Sequence, residues 1–360
     1  MSSTLRESNM DQARAEAFGD RMVETLNAGS LALMTSIGHR TGLLDTMAGL
    51  TPSTSQQIAD TSGMNERYVR EWLGAMVAAR VIEYQPDDGK YSLPEEHAAF
   101  LTRDAAPDNV AAFLQYIPLL GSVEDSIIEC FKNGGGVPYA EFPRFQEVMA
   151  EDSGQTVVPA LLSHIVPLVP GLQDALTKGI DVLDVGCGSG RALNIMALEY
   201  PNSRFTGFDL SDEATAIGRC QAEENGVTNL VFEARDVTKL GTPKQYDLIT
   251  AFDAIHDQAN PASVLAGISD ALKDDGVFLM QDIAASSELH ENIDNTIGTF
   301  LYAISVMHCM TVSLALDGTG LGTMWGEATA REMLSDAGLS RVDVNRLDHD
   351  LQNAYYIARK

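Results

Sequence analysis

The sequence predicts an α/β protein in which a doubly wound, seven-stranded, mostly parallel sheet follows a mostly helical N-terminal domain. Three observations predict it. After Gly179, short β-branched runs alternate with helical ones, the rhythm of strand-crossover-strand units. The first of those runs ends in a glycine-rich turn, Gly186-Cys-Gly-Ser-Gly190, that opens a helix near Arg191. Before residue 95 helical periodicity prevails, with one hairpin signal around Asp87-Asp-Gly89. At 360 residues and 45% hydrophobic content the chain can fill two cores.

Taken in order, residues 12–50 have helical apolar spacing. Thr54 to Asp60, a turn at Ser62-Gly63, and an amphipathic run from Asn65 to Val81 make a helix-turn-helix. Two short strands flanking Asp87-Asp-Gly89 add a wing, so residues 1–95 are expected to form a winged-helix domain. Such a domain reads DNA or mediates dimerisation. Reading DNA requires a basic face. Here acids outnumber bases over residues 29–95, and Glu66 and Glu71 stand at helical spacing from Arg70 and Arg67, so dimerisation is the prediction. The formal charge of -27 likewise repels phosphate backbones and anionic lipid, which argues against nucleic-acid and membrane partners.

Residues 96–175, rich in proline and carrying Gly134-Gly-Gly136, are predicted to form a helical connector over the active site. Strands are expected at 181–185, 204–208, 230–234, 247–252, 276–282, 341–346 and 353–358, with a helix at 328–337. The segment 284–326 breaks the rhythm, as a lid does. No apolar run is expected to reach the roughly 18 residues that span a bilayer. The four cysteines stand singly and residues 1–11 are polar, so the expectation is a soluble, cytoplasmic protein with reduced thiols.

The segment Ile180-Asp-Val-Leu-Asp-Val-Gly-Cys-Gly-Ser-Gly190 is a buried strand running into a turn where backbone and ligand come close. Dinucleotide sites use G-x-G-x-x-G; here the third glycine comes one position early and the loop follows an acid, Asp184, which suits a cationic amine better than a pyrophosphate. A second strand ends in Asp209, placed to accept ribose hydroxyls, and a third in Glu233-Ala-Arg-Asp236. Over residues 176–283 this set resembles the motifs of class I S-adenosylmethionine (SAM)-dependent methyltransferases with a Rossmann-like sheet. The resemblance implies SAM as cofactor. It assigns the methionine end to Asp184 with Gly186, Gly188 and Gly190, the ribose hydroxyls to Asp209, and the adenine to Asp236 with the Val237 backbone, with Cys187, Leu210, Phe252 and Asp253 completing the cofactor set.

The fourth strand leads into Ala251-Phe-Asp-Ala-Ile-His-Asp-Gln258. This resembles the His-Asp segment of the small-molecule O-methyltransferases of plants and bacteria, which also carry a winged-helix dimerisation domain. It implies His256 as general base beside Asp257, and a homodimer. At an ordinary pKa near 6.5 the imidazole would be neutral at pH 7 and able to take a hydroxyl or thiol proton. Gln258 stands where the family often has Trp, which weighs against an aromatic acceptor. His39, Tyr116, Gln258, His308 with Cys309, and Trp325 are the acceptor-pocket candidates. No metal is expected: His308-Cys309 lacks a second ligand pair, and Asp253, Asp257 and Asp282 are the only source of a Mg²⁺ cluster. The expected activity is methyl transfer to a hydroxyl or thiol of a small molecule. The alternatives are an N-methyltransferase and a SAM-binding regulator or scaffold without turnover.

Overall fold

The computed structural model describes residues 10–348, 350 and 352–360. It divides into two compact units at Pro118/Leu119. The segment 96–175, expected as one connector, is therefore shared between them.

In the N-terminal unit α1 (Gln12–Arg40) is capped by Asp11, α2 (Leu43–Ala48) follows, and α3 (Ser55–Ser62) and α4 (Glu66–Ala78) form the helix-turn-helix. Thr54 and Gln57 make a reciprocal capping box at the start of α3, satisfying two amides that would otherwise lack partners. Gly63 ends α3 at φ 69°, a conformation favouring glycine. The wing is an antiparallel pair, β1 (Glu83–Gln85) and β2 (Lys90–Ser92), with Tyr84 opposite Tyr91. Leu44, Ile58, Val69, Leu73 and Met76 form the core, and the Trp72 indole N–H donates to Met34 O at 2.8 Å. Arg67 pairs with Glu71 and Arg70 with Glu66, so the helix that would read a groove presents neutralised arginines. By contrast, α1 leaves Phe18, Val23 and Leu26 exposed by 59%, 60% and 70%.

In the second unit, seven strands among the described residues form one sheet: β3 (Asp181–Val185), β4 (Arg204–Asp209), β5 (Leu230–Ala234), β6 (Tyr246–Phe252), β7 (Leu272–Ile283), β8 (Arg341–Asn345) and β9 (Asn353–Arg359). Their order is β5-β4-β3-β6-β7-β9-β8, parallel except that β9 runs antiparallel to both neighbours. Side chains of β3 alternate between two apolar cores, Leu183 and Val185 on one face and Val182 on the other, as in a sheet covered on both sides. The chain steps outward from β3 to β5, then returns to β6 on the other side of β3. At that reversal the flanking loops diverge and open a crevice at the strands' carboxyl ends.

The segment 284–326 contains the helical run Gly298–Ala315, interrupted by a π-helical turn at Ser305–Cys309. Its 18 residues have a mean hydropathy of 1.4, long and apolar enough to cross a membrane, which corrects the expectation of no such run. Half of that stretch is buried within the fold, with Leu301, Cys309 and Val312 inward, as in a core helix. The glycine run lies against it: a Cβ on Gly136 would fall 2.0 Å from Thr311 O, and the Val137 N–H donates to Thr311 Oγ1 at 2.8 Å.

Candidate functional site

Three acids stand at the carboxyl ends of adjacent strands, Asp184 on β3, Asp209 on β4 and Asp236 just beyond β5. Asp184 is buried and accepts the Thr250 hydroxyl at 2.8 Å. Burial pushes its carboxyl up to about 7, the Thr250 hydrogen bond opposing and the charge of Asp209 adding to the rise. Asp209 fastens the glycine loop, one oxygen accepting the Gly188 N–H and the other the Ser211 N–H, each at 2.8 Å. Gly186, Gly188 and Gly190 all have left-handed backbones. A Cβ on Gly186 would meet Ala254 Cβ at 2.5 Å and one on Gly190 the Phe232 ring at 2.1 Å, whereas one on Gly188 meets nothing within 4 Å. Packing within the protein thus demands two of these glycines, and the third faces open space.

The other cofactor candidates divide by what they touch. The Cys187 thiol donates to Gly188 O at 3.7 Å and lies against Gly207, turned into the sheet. Leu210 is 66% exposed beside Asp209. Asp236 caps the next turn, one oxygen accepting the Thr238 N–H at 3.0 Å and its hydroxyl at 2.6 Å, bonds that hold its carboxyl below the usual range. The Val237 side chain is in the core, and Phe252 is partly buried at the end of β6.

Beyond Phe252 the backbone turns through Asp253 at φ 54°, a left-handed conformation costing a non-glycine residue about 1–3 kcal/mol. That turn buries His256, whose Nδ1 lies 2.9 Å from Asp282 Oδ1 and 3.8 Å from Asp253 Oδ1. Asp282, on β7, is fully buried, and the same oxygen also accepts the Trp325 indole N–H at 3.0 Å and the Ile283 N–H at 2.8 Å. A carboxylate only accepts, so Nδ1 is the donor and Nε2 is the nitrogen left for chemistry. Burial alone would lower the proton affinity of His256. The negative charge of Asp282 outweighs it, with the Cys309 thiol contributing, and the imidazole is held well above its usual pKa. The expectation of an ordinary value near 6.5 is corrected accordingly. The sequence reading considered Asp282 only as a metal ligand, because nothing local to β7 shows that its end lies under His256.

Asp257 points elsewhere, accepting the buried Tyr139 hydroxyl, whose own pKa is raised by burial and by Asp257. Tyr139, Phe142 and Phe145 box His308: Phe145 stacks on it at 3.9 Å between centroids, and Phe142 and Tyr139 stand edge-on at 4.8 and 5.3 Å. Burial, then the charge of His256, hold His308 down to about 3, so it is neutral. These three aromatics went unread; their spacing of three around Pro143 was the available signal. Gln258, expected at the acceptor, donates its side-chain amide to Ala254 O at 2.7 Å and its backbone carbonyl accepts the Ser313 hydroxyl at 2.8 Å, so it closes the turn. Trp325 is a core residue whose indole holds Asp282. His39 and Tyr116 belong to the N-terminal unit, where both are buried, the His39 carbonyl accepting Arg103 Nη2 at 2.9 Å. Asp253, His256 and Asp282 each bring a donor atom within 4.8 Å of the others, in place of the all-acid trio considered from sequence. A direct hydrogen bond already joins His256 to Asp282.

Two protein families match the chain: an Rv2258c-like winged HTH domain over residues 29–103 and a methyltransferase domain over residues 176–336. A ubiquinone biosynthesis O-methyltransferase from Shewanella halifaxensis is 30% identical over 155 residues, 42% of this chain and 62% of that protein. The (S)-tetrahydroprotoberberine N-methyltransferase of Eschscholzia californica is 30% identical over 115 residues, 32% of this chain and 33% of that one. The match therefore spans less than two thirds of either relative. Among solved structures, human N-acetylserotonin methyltransferase in complex with SAM superposes over 98% of this chain and 99% of its own, with a TM-score of 0.67 at 16% identity, a likeness of fold.

Proposed function

For this chain, a methyltransferase domain preceded by a winged HTH domain, we propose SAM-dependent methyl transfer to a hydroxyl or thiol of a small molecule, with His256 as general base. The observation that supports it best is the buried His256–Asp282 pair next to the switch-point crevice. The crevice suits the cofactor: Asp184, buried, and Asp209, half-buried, are hydrogen-bonded to a hydroxyl and to amides rather than to cations, and Gly188 opens onto free space. Asp184 would hold the ammonium of the methionine end, Asp209 the ribose hydroxyls, and Leu210 and the Asp236–Val237 turn the adenine, with Phe252 lining the same edge. When bound, the cofactor supplies a methyl already activated on a sulfonium.

The protein's remaining tasks are alignment and removal of the acceptor's proton. Asp282 fixes the His256 tautomer and offsets the imidazolium that forms when Nε2 takes that proton. Trp325 and the Ile283 amide hold Asp282 in place. Asp257 and Tyr139 join the acceptor turn to the segment carrying Phe142 and Phe145, and neutral His308 offers the acceptor a hydrogen bond without a charge.

Transfer from labelled SAM to thiols, phenols, alcohols and amines, with and without a chelator, tests the reading. Turnover of a hydroxyl or thiol that survives chelation is expected. SAM binding with no turnover on any class would shift the reading to a sensor or scaffold. A second reading, N-methylation, is favoured by one observation: the charges of Asp282, Asp152 and Asp257 all act on Asp253, an acidic field that suits an amine. Turnover confined to amines and insensitive to loss of His256 would select it.

The homodimer is proposed on the exposed stripe of α1. Phe18, Met22 and Leu26 recur every four residues along one face, an arrangement a second copy can cover. Light scattering is expected to give a dimer that Leu26→Glu converts to monomer; a wild-type monomer would remove the proposal.

A further inference from the structure

Asp253 lies between the two halves of the site. The residue after it, Ala254, is the one against which Gly186 of the glycine loop packs, and three residues on stands His256. Its N–H donates to Gln281 O at 2.9 Å, which ties it to the end of β7. Its Oδ1 is buried and, among the described residues, has no hydrogen-bond partner, as is true of Asp282 Oδ2 beside it. A left-handed backbone holds it there where most residues would be strained. The methyl must pass between the cofactor loop and the acceptor's base, and Asp253 is the acid whose own turn meets both, through Ala254 against Gly186 and through its Oδ1, 3.8 Å from the His256 ring.

Resting on the SAM reading above, we propose that Asp253 is the counter-charge to the donor's sulfonium and the residue by which this protein tells the donor from the spent cofactor, S-adenosylhomocysteine (SAH), whose sulfur is neutral. The methionine ammonium and carboxylate and the ribose are common to both molecules. Asp184 and Asp209, assigned to those shared groups, therefore do not discriminate, while a carboxylate at the sulfur does. Discharge of the sulfonium during transfer removes the attraction and leaves Asp253 facing a neutral sulfide, which favours product exchange.

A proton is linked to this exchange. The groups facing Asp253 are His256 and Asp257 from its own turn, Asp282 from β7, and Asp152 from the helix Phe145–Gln155. Burial pushes Asp253 up to about 7; the charge of His256 opposes this, and those of Asp282, Asp152 and Asp257 add to it. A cation arriving at the sulfur position favours the ionised acid, so donor binding expels a proton near neutral pH and weakens as pH falls, by up to about tenfold per unit below 7. Binding of SAH lacks that component. Asp184, also raised, titrates against the shared ammonium and so affects both ligands alike.

Titration calorimetry of SAM and SAH, in two buffers of different ionisation enthalpy at pH 6 and pH 8, counts the protons. The expected result at pH 6 is more proton release with SAM than with SAH, and a SAM-to-SAH affinity ratio that rises from pH 6 to pH 8. Asp253→Asn, which keeps the shape, should lower SAM affinity roughly tenfold to a hundredfold and SAH affinity by less than about threefold, and abolish the difference in proton release. Equal proton release for the two ligands in the wild type, or an unchanged affinity ratio in Asp253→Asn, overturns the proposal while leaving the SAM reading intact. Binding of neither ligand to the wild type would sink the SAM reading itself.

Discussion

Replacing His256 by Ala is expected to slow methyl transfer about 100- to 10,000-fold for an alcohol or phenol acceptor, the range a positioned general base contributes. The loss should lie in kcat, because the imidazole acts when the proton moves and the glycine loop, Asp184 and Asp209 are left in place. A thiol acceptor, with an ordinary pKa near 8.5, is partly ionised at pH 7, so the same variant should lose less on it, and raising the pH should rescue part of that loss. Steady-state kinetics on matched alcohol and thiol acceptors, alongside SAM binding, make the check. Equal and small losses on both would mean that His256 is only packing.

Asp282→Asn should lower kcat by about 100- to 1,000-fold, since it removes a preorganised charge from beside the imidazolium that forms during transfer. The sign of its pH effect follows from the same contact. In the wild type, the Asp282 charge stabilises the protonated imidazole, so His256 becomes a free base only above its ordinary range and activity climbs with pH on the alkaline side of 6.5. In the Asn variant that limb moves to lower pH while the plateau drops. The proton inventory also bears on stability: a raised imidazole pKa stabilises the fold below the unfolded value and loses that contribution as pH rises through the folded one. A rate profile whose limb does not move in Asp282→Asn would separate the two residues functionally, and a lost limb with unchanged melting temperature would place the effect in catalysis. Trp325→Phe, which removes one of three donors to the same oxygen, should shift the limb in the opposite direction, because an unsatisfied Asp282 attracts the imidazolium proton more strongly.

Much of the cofactor end was legible because its signals are local. A strand, a turn requiring glycine and a capping acid are consecutive in the chain, so Asp184, the glycines and Asp209 could be read in order before any fold was known. Even there the roles needed coordinates: Gly186 and Gly190 answer to Ala254 and Phe232, residues distant in sequence, and only Gly188 borders open space. The acceptor end was less legible. His256 and Asp257 are adjacent, yet one turns to Asp282 on β7 and the other to Tyr139 in the connector, and adjacency could not separate those fates. Gln258 and Trp325 were read as pocket residues because they are polar or aromatic in the right segments, and they close a turn and support a carboxylate instead.

The sequence by itself determined the fold class, a helical winged-helix region followed by a seven-stranded α/β sheet, and the positions of Asp184, Asp209 and Asp236 at or just beyond the first three strands of that sheet, because backbone periodicity and turn chemistry act over a few residues. Only the tertiary structure decided which acid faces which base, that the π-helical turn carries His308 into a box of aromatics, and that the buried Oδ1 of Asp253 beside His256 has no hydrogen-bond partner among the described residues. Those outcomes depend on burial and on charges brought together from β6, β7 and the connector. Electrostatic interaction depends on distance in space and on exclusion of water, neither of which is written in the spacing of residues along the chain.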